Sequence, residues 1–379
     1  MNILILFNYY IDPERGGTER VYSNLSPFFR KQGLGVYAYY FIQSSFDNKH
    51  CYNDIFRGTD KNSTSKTYKE LKLLVNKWSI QCIICSSPSP VLMKVAEKLS
   101  GVMVYHHVHN VPSVLFDNDR LRFFERLNID NWVTVKLSHL YMKIKYSPIF
   151  NMVKKNKHKV ILLSDSFRSD FKSMFRFPDN LISAIANPFH IDELFDGVNV
   201  ERGKILLYVG RLSERQKNVS SLLRIWKVVQ ERLKDYKLVI VGDGPDRKKY
   251  EDMAETMNLS RINFVGFQVP SYWYKTSSTL LMTSRYEGFP MVLVEAMQYG
   301  CVPFAYNSYL SLSDIIDDGV NGFNITPFDE KEYVEKLLVF LQSPVDIQKK
   351  IRQASIEKVK QFDVNVVGEK WIDLFKQSV

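Results

Sequence analysis

Ile205-Leu206-Leu207-Tyr208-Val209-Gly210-Arg211-Leu212-Ser213-Glu214-Arg215-Gln216-Lys217-Asn218 passes from an apolar run into a loop that carries a guanidinium and an ammonium group. The apolar run suits a strand buried on both faces. A helical pattern over Ser220–Leu233 follows, and then a second apolar run, Lys237–Val241. Strand, helix and strand in that order predict a parallel βαβ unit. Cations just past the carboxyl end of such a strand stand where open parallel sheets hold their ligands.

The same alternation continues in both directions. Downstream, strands are predicted at Asn263–Val265, Leu280–Thr283 and Val302–Ala305, with helices at Arg247–Met257, Pro290–Tyr299 and Glu330–Gln342. Upstream, strands are predicted at Ile3–Phe7, Gly35–Tyr40, Cys82–Ser86, Met103–His106 and Val160–Leu163. Helices fit Thr18–Gln32, Ser65–Trp78 and Pro90–Leu99. Ile185-Ala186-Asn187-Pro188 interrupts the pattern, since Asn-Pro breaks regular structure. A chain of 379 residues can bury two cores. We therefore expect two Rossmann-like, doubly wound α/β domains, 1–188 and 189–367, facing an interdomain cleft, with a final helix over 368–379 packing back on the first.

Lys and Arg number 51 against 41 Asp and Glu, a formal charge of +10, and the excess is local. Between Arg120 and Lys159 ten Lys and Arg face only Glu125 and Asp130, interleaved with Phe123, Phe124, Trp132, Tyr141, Tyr146 and Phe150. That mixture suits an anionic lipid surface. It also suits a solvated basic face or, less well, nucleic acid. The expected partner of 120–159 is an anionic membrane surface, with no nucleic acid. No apolar run approaches the ~18 residues of a membrane span. The N-terminus lacks the features of a cleaved signal. The protein is expected in the cytoplasm, peripheral on the inner face of the membrane. Cys82 and Cys85 read as buried strand thiols, and no second pair completes a zinc site.

The chemistry concentrates in Glu287-Gly288-Phe289-Pro290-Met291-Val292-Leu293-Val294-Glu295. Gly288 permits a tight backbone approach, and Pro290 suits a helix start. Glu287 then sits in the preceding loop, and Glu295 lies within an apolar helix, where a buried carboxylate needs partners. Ribose hydroxyls would serve, and the free N–H groups at the helix start would hold a phosphate. The plain alternative is a surface helix with one solvated glutamate. Val104-Tyr105-His106-His107-Val108-His109-Asn110-Val111-Pro112 offers three histidines near a strand end. Histidine serves as donor or base near neutral pH. His139, His158 and His190 lack such a context and are expected at the surface.

Taken in order, Gly210-Arg211…Lys217-Asn218, Val241-Gly242-Asp243-Gly244-Pro245, Phe264-Val265-Gly266-Phe267, Glu287…Glu295 and Asp318-Gly319-Val320-Asn321-Gly322 resemble the C-terminal half of family 4 glycosyltransferases. Gly16-Gly17-Thr18-Glu19-Arg20 is similar to their N-terminal glycine loop, and Ile185–Pro188 to their interdomain sequence. The resemblance implies the GT-B fold, retention of anomeric configuration, and transfer from a nucleotide-sugar donor, a uridine diphosphate sugar first. It implies a lipid-linked or saccharide acceptor, as in surface polysaccharide assembly, and no metal or other cofactor. Arg211 and Lys217 would clamp the diphosphate after Gly210, with Gly16 and Gly17 approaching from the other domain. Glu295 would bind the ribose, Gly266 and Phe267 the base, and Glu287 the transferred sugar. Backbone N–H groups of Phe289 to Val292 would meet the distal phosphate, with Gly288, Pro290 and Met291 counted among the donor-binding residues. His109, or failing it His107, would meet the sugar. One departure stands out: Lys217 follows Arg211 by six residues, where many members have five. Two rivals remain at this point, a sugar-nucleotide epimerase or hydrolase of the same fold, and a non-catalytic basic binding protein.

Overall fold

The computed structural model describes residues 1–9, 11–12, 17–42, 51–86, 89–109, 131–191 and 195–377, without the side chains of 17, 131–139 and 142. It divides into two compact units. The first comprises Met1–Phe189 with Val364–Val379, and the second His190–Asp363.

The first unit holds a parallel sheet of β1 (Asn2–Leu6), β2 (Gly35–Tyr40), β3 (Asp54–Arg57), β4 (Cys82–Cys85), β5 (Met103–Val108), β6 (Lys159–Leu162) and β7 (Ile182–Ala184), in the order 3-2-1-4-5-6-7. The second holds β8 (Gly203–Val209), β9 (Lys237–Val241), β10 (Ile262–Gly266), β11 (Ser277–Met282), β12 (Val302–Tyr306) and β13 (Phe323–Ile325), in the order 10-9-8-11-12-13. Each is a doubly wound α/β sheet, as the alternation of patterns predicts. The three strands that the sequence did not announce, β3, β7 and β13, are short, and each lies at or next to a sheet edge. Three or four residues of mixed polarity give too little periodicity to register.

Central strands are apolar throughout because helices cover both faces. In the second unit Leu206, Tyr208, Leu238, Ile240, Leu281 and Phe304 meet Leu222, Trp226 and Tyr333. In the first, Ile3, Ile5, Val36 and Tyr105 meet Tyr22, Leu25 and Phe29 of the helix Gly17–Lys31. Trp371 and Phe375 of the last helix, Val364–Lys376, join that same core. This helix starts four residues before the expected Gly368. Gly368 stands where the ring of Phe28 leaves no room for a side chain. Cys82 and Cys85, three apart on β4, point to opposite faces, which excludes a shared bond or ligand. All four cysteines are buried and free, and burial pushes the thiols of Cys82 and Cys85 well above their ordinary value.

A helix that the sequence reading did not assign, Asn131–Asn156, runs through the basic-aromatic segment. No helix among the described residues is long and apolar enough to cross a membrane.

Candidate active site

In the second sheet the strand order reverses between β8 and β11, the position where open α/β sheets leave a ligand crevice. Two loops leave those strands. The first enters a single helical turn, Glu214–Lys217, which Asn218 ends with a left-handed backbone (φ 50°). Asparagine tolerates that region better than most side chains. The second loop is stitched to this turn. Thr283 Oγ1 donates to the carbonyls of Lys217 and Asn218 at 3.1 Å each. The Arg285 N–H donates to Gln216 O at 2.7 Å, and its guanidinium to Asn218 Oδ1 at 2.8 Å.

That stitching brings Lys217 Nζ to 2.6 Å from Glu287 Oε1, with side chains only 14% and 9% exposed. Gln216 Nε2 donates to the other oxygen, Oε2, at 3.3 Å. Lys217 and Glu287, given separate tasks from sequence, thus form one buried ion pair. The six-residue step from Arg211 to Lys217 ends in the helical turn, whose Gln216 and Lys217 reach the same carboxylate. Arg211 is exposed, and its guanidinium has no hydrogen-bond or ion-pair partner among the described residues.

Glycines let the neighbouring loop lie against this one. Gly242 has φ +137°, and a Cβ there would overlap the carbonyl oxygen of Gly210. At Gly244 a Cβ would overlap Leu212 O. Leu212 N–H donates to Asp243 O at 2.9 Å. The Gly-Asp-Gly pattern therefore serves backbone packing under the Arg211 loop. Gly242→Ala should cost at least about 2 kcal/mol, from strain and overlap together. A thermal unfolding midpoint equal to the wild type would contradict this.

The helix Met291–Gln298 starts after Pro290, which occupies the capping position and not the first helical one. Phe289 packs edge-on against Phe362 at 5.2 Å. Gly288 O accepts from Ser311 Oγ at 2.6 Å. Val292 lies one residue into the helix, ahead of Glu295. Glu295 accepts a hydrogen bond from Tyr274 Oη at 3.1 Å, a partner that the sequence did not reveal. Gly266 takes φ +76°, and Phe267 beside it is 83% exposed.

In the first unit His107 is buried, and its Nδ1 lies 2.7 Å from Tyr22 Oη. Its ring lies 3.9 Å from that of His109 and 5.3 Å from Trp371. Burial holds His107 well below the ordinary histidine value, with the neighbouring His109 adding to the shift. Burial likewise lowers His109 to about 3, against a smaller opposing effect of Asn187. Both rings are neutral at physiological pH. The two His109 nitrogens, His107 Nε2 and Asn187 Oδ1 are buried without a hydrogen-bond partner among the described residues. Gly17 opens the first helix, while Gly16 lies outside the described residues, as does the segment 110–130.

One buried cluster escaped sequence reasoning. Glu97 Oε1 accepts from His106 Nε2 at 2.7 Å and His158 Nδ1 at 3.0 Å. Asn156 Nδ2 donates to Glu97 Oε2 at 2.7 Å. His158, expected at the surface, is therefore an interior residue, because a carboxylate 61 positions away supplies its partner. His190 is exposed, and the His139 side chain lies outside the described residues. Although burial alone would raise it, Glu97 is lowered to about 2 by the two histidines. Among the described residues no three His, Cys, Asp or Glu side chains gather to hold a metal ion.

Residues 191–360 match the model of the family "Glycosyl transferases group 1". The chain is 31% identical over 228 residues to the amylovoran biosynthesis glycosyltransferase AmsD of Erwinia amylovora, covering 57% of this chain and 61% of that one. It is 25% identical over 198 residues to an N-acetylgalactosaminyltransferase of Campylobacter jejuni whose name specifies a PP-undecaprenol-linked saccharide, covering 52% and 55%. The match thus spans less than two thirds of the length of either relative. Among solved structures, Anabaena HepE in complex with UDP and glucose superposes with a TM-score of 0.73 at 17% identity, covering 100% of both chains. The segment 191–360 that matches this family lies in a chain with the GT-B fold of solved glycosyltransferases.

Proposed function

We propose that the whole protein is a retaining glycosyltransferase of family 4 that moves a sugar from a nucleoside diphosphate to a lipid-linked saccharide in surface polysaccharide assembly. The observation that carries this reading is the largely buried Lys217–Glu287 pair at the switch point of the second sheet, with the guanidinium of Arg211, unpartnered among the described residues, on the same loop. A leaving diphosphate gains negative charge as the glycosyl bond breaks. Arg211, Lys217 and the N–H groups at the start of Met291–Gln298 supply positive potential there without a metal ion. The carboxylate of Glu287, oriented by Lys217 and Gln216, faces the sugar. In a front-face substitution the departing phosphate oxygen takes the proton of the acceptor hydroxyl. His109, being neutral, contributes a hydrogen bond and no charge.

Uridine is the preferred base, in keeping with the UDP held by the HepE structure. The lipid-linked acceptor is in keeping with the name of the Campylobacter relative. Membrane contact draws support from the described end of the helix Asn131–Asn156. There Leu140 and Ile144 are 54% and 67% exposed, beside Lys143 and Lys145 and ahead of Lys154 and Lys155. Each cation near an anionic surface contributes about 1 kcal/mol.

Thermal stabilisation by UDP, GDP and ADP, followed by transfer assays from the matching sugar nucleotides to polyprenyl-diphosphate saccharides, tests the reading. We expect one nucleotide to stabilise the protein and transfer to require the acceptor. Sugar release at equal rate with and without acceptor would favour a hydrolase or epimerase, and salt-sensitive nucleic-acid binding without nucleotide binding would favour a binding protein. Failure to co-sediment with phosphatidylglycerol vesicles at low salt would remove the membrane part alone.

A further inference from the structure

To bind a ribose, as proposed, Glu295 must present its carboxylate in one orientation. We propose that Tyr274 is a positioning residue for Glu295, and that it sets the preference of this site for a ribonucleotide over a 2′-deoxyribonucleotide. This inference rests on the assignment of Glu295 to the ribose.

Tyr274 lies on the helix Ser271–Thr276, which follows the Gly266-Phe267 turn and leads straight into β11. Its side chain is 2% exposed, and its Oη donates to Glu295 Oε2 at 3.1 Å. The ring has little freedom to swing away. It stacks on Tyr299 with centroids 6.3 Å apart and planes within 19°, and the Lys275 ammonium covers the Tyr299 ring at 5.0 Å. The backbone is clamped as well. Arg202 Nη1 donates to the carbonyls of Tyr274 and Lys275 at 3.0 and 2.8 Å. Its Nη2 donates to Tyr299 O and, at 2.7 Å, to Gly197 O. One half-buried guanidinium thus ties the carboxyl ends of the Ser271–Thr276 and Met291–Gln298 helices together, a favourable place for a cation. Tyr274 sits on the first of these and Glu295 on the second.

A glutamate side chain has three rotatable bonds, and Glu295 is only half-buried. Each rotamer that it gives up on gripping a vicinal diol costs ordering entropy. A phenol held rigidly against one oxygen narrows the orientations of the carboxylate before the nucleotide arrives. Preorganisation of this kind strengthens the contact to the hydroxyls without adding a contact of its own. It predicts a selective loss. Removing the phenol oxygen weakens recognition of the ribose diol and leaves the diphosphate contacts of Arg211 and Lys217 as they were.

The test compares binding of UDP, 2′-deoxy-UDP and pyrophosphate by calorimetry in the wild type, Tyr274→Phe and Glu295→Ala. If the thermal screen ranks guanosine or adenosine first, the corresponding pair of nucleotides is used. Tyr274→Phe retains the ring and its stack, so the fold is kept. Its preference for the ribonucleotide should fall about 3- to 10-fold, the range of one hydrogen bond, with pyrophosphate affinity unchanged. Glu295→Ala should bring the preference close to one. An unchanged preference in Tyr274→Phe beside a lost one in Glu295→Ala overturns the role of Tyr274 and leaves the ribose assignment standing. An unchanged preference in Glu295→Ala overturns the assignment, and the inference with it. Equal weakening of all three ligands in Tyr274→Phe makes the tyrosine a structural residue only.

Discussion

Lys217→Ala is expected to lower turnover by roughly 10²–10³-fold at saturating donor, the range for loss of one preorganised group facing developing charge. In the proposed transfer reaction the loss should appear in kcat more than in KM, because the ammonium would matter most as the diphosphate departs. Two effects act together in this variant. The proposed leaving group would lose its cation, and the Glu287 carboxyl would keep, among the described residues, only the Gln216 amide beside it. Lys217→Arg should not restore activity, since a planar fork does not fit the place of a compact ammonium. The Thr283 and Arg285 bonds to this loop reach main-chain carbonyls and Asn218, so the loop should survive the substitution. Turnover within a few-fold of the wild type, in a folded Lys217→Ala protein, would remove the pair from the reaction.

The second large effect concerns stability. Glu97→Gln should destabilise the first unit by roughly 3–5 kcal/mol, the usual result of breaking a buried charged network from one side. The replacement puts an amide where His106, His158 and Asn156 all direct donors. In a unit of this size that is a fall of about 10 °C in unfolding midpoint. The pH dependence follows from the sign of the shift. Glu97 is held at about 2 against an ordinary 4.5. Its stabilising contribution is therefore complete above about pH 4.5 and drains away as the pH falls toward 2. Midpoints of wild type and Glu97→Gln measured between pH 7 and pH 3 should differ most at the top of that range and converge at the bottom. Parallel curves would show that the carboxylate is not the titrating group.

What could be read from the sequence depended on the range of the interactions. Strand and helix alternation is local, so both sheets emerge from runs such as Ile205–Val209 and Lys237–Val241. The loop position of Glu287 and the helical position of Glu295 follow from Gly288 and Pro290 between them. The pairing of Lys217 with Glu287 joins positions 70 apart and depends on strand order, which periodicity does not encode. Tyr274 was hidden among the aromatics of Ser271–Thr276, with nothing to separate it from core. His158 is hidden for the same reason: Glu97 reaches it only once β6 lies beside β5 and Asn156, at the end of its helix, bonds the same carboxylate. The Gly242 and Gly244 pair matched a family motif, yet its physical basis is clearance for the Gly210 and Leu212 carbonyls.

Helix Val364–Lys376 completes the interior around Phe29, Tyr105 and His107 from the far end of the chain. During synthesis the ribosome must therefore deliver all of His190–Asp363 before Trp371 and Phe375 exist to seal what was begun some 340 residues earlier. The first unit is begun before the second and closed after it, and until then its unfinished apolar wall is open to chaperones and to aggregation.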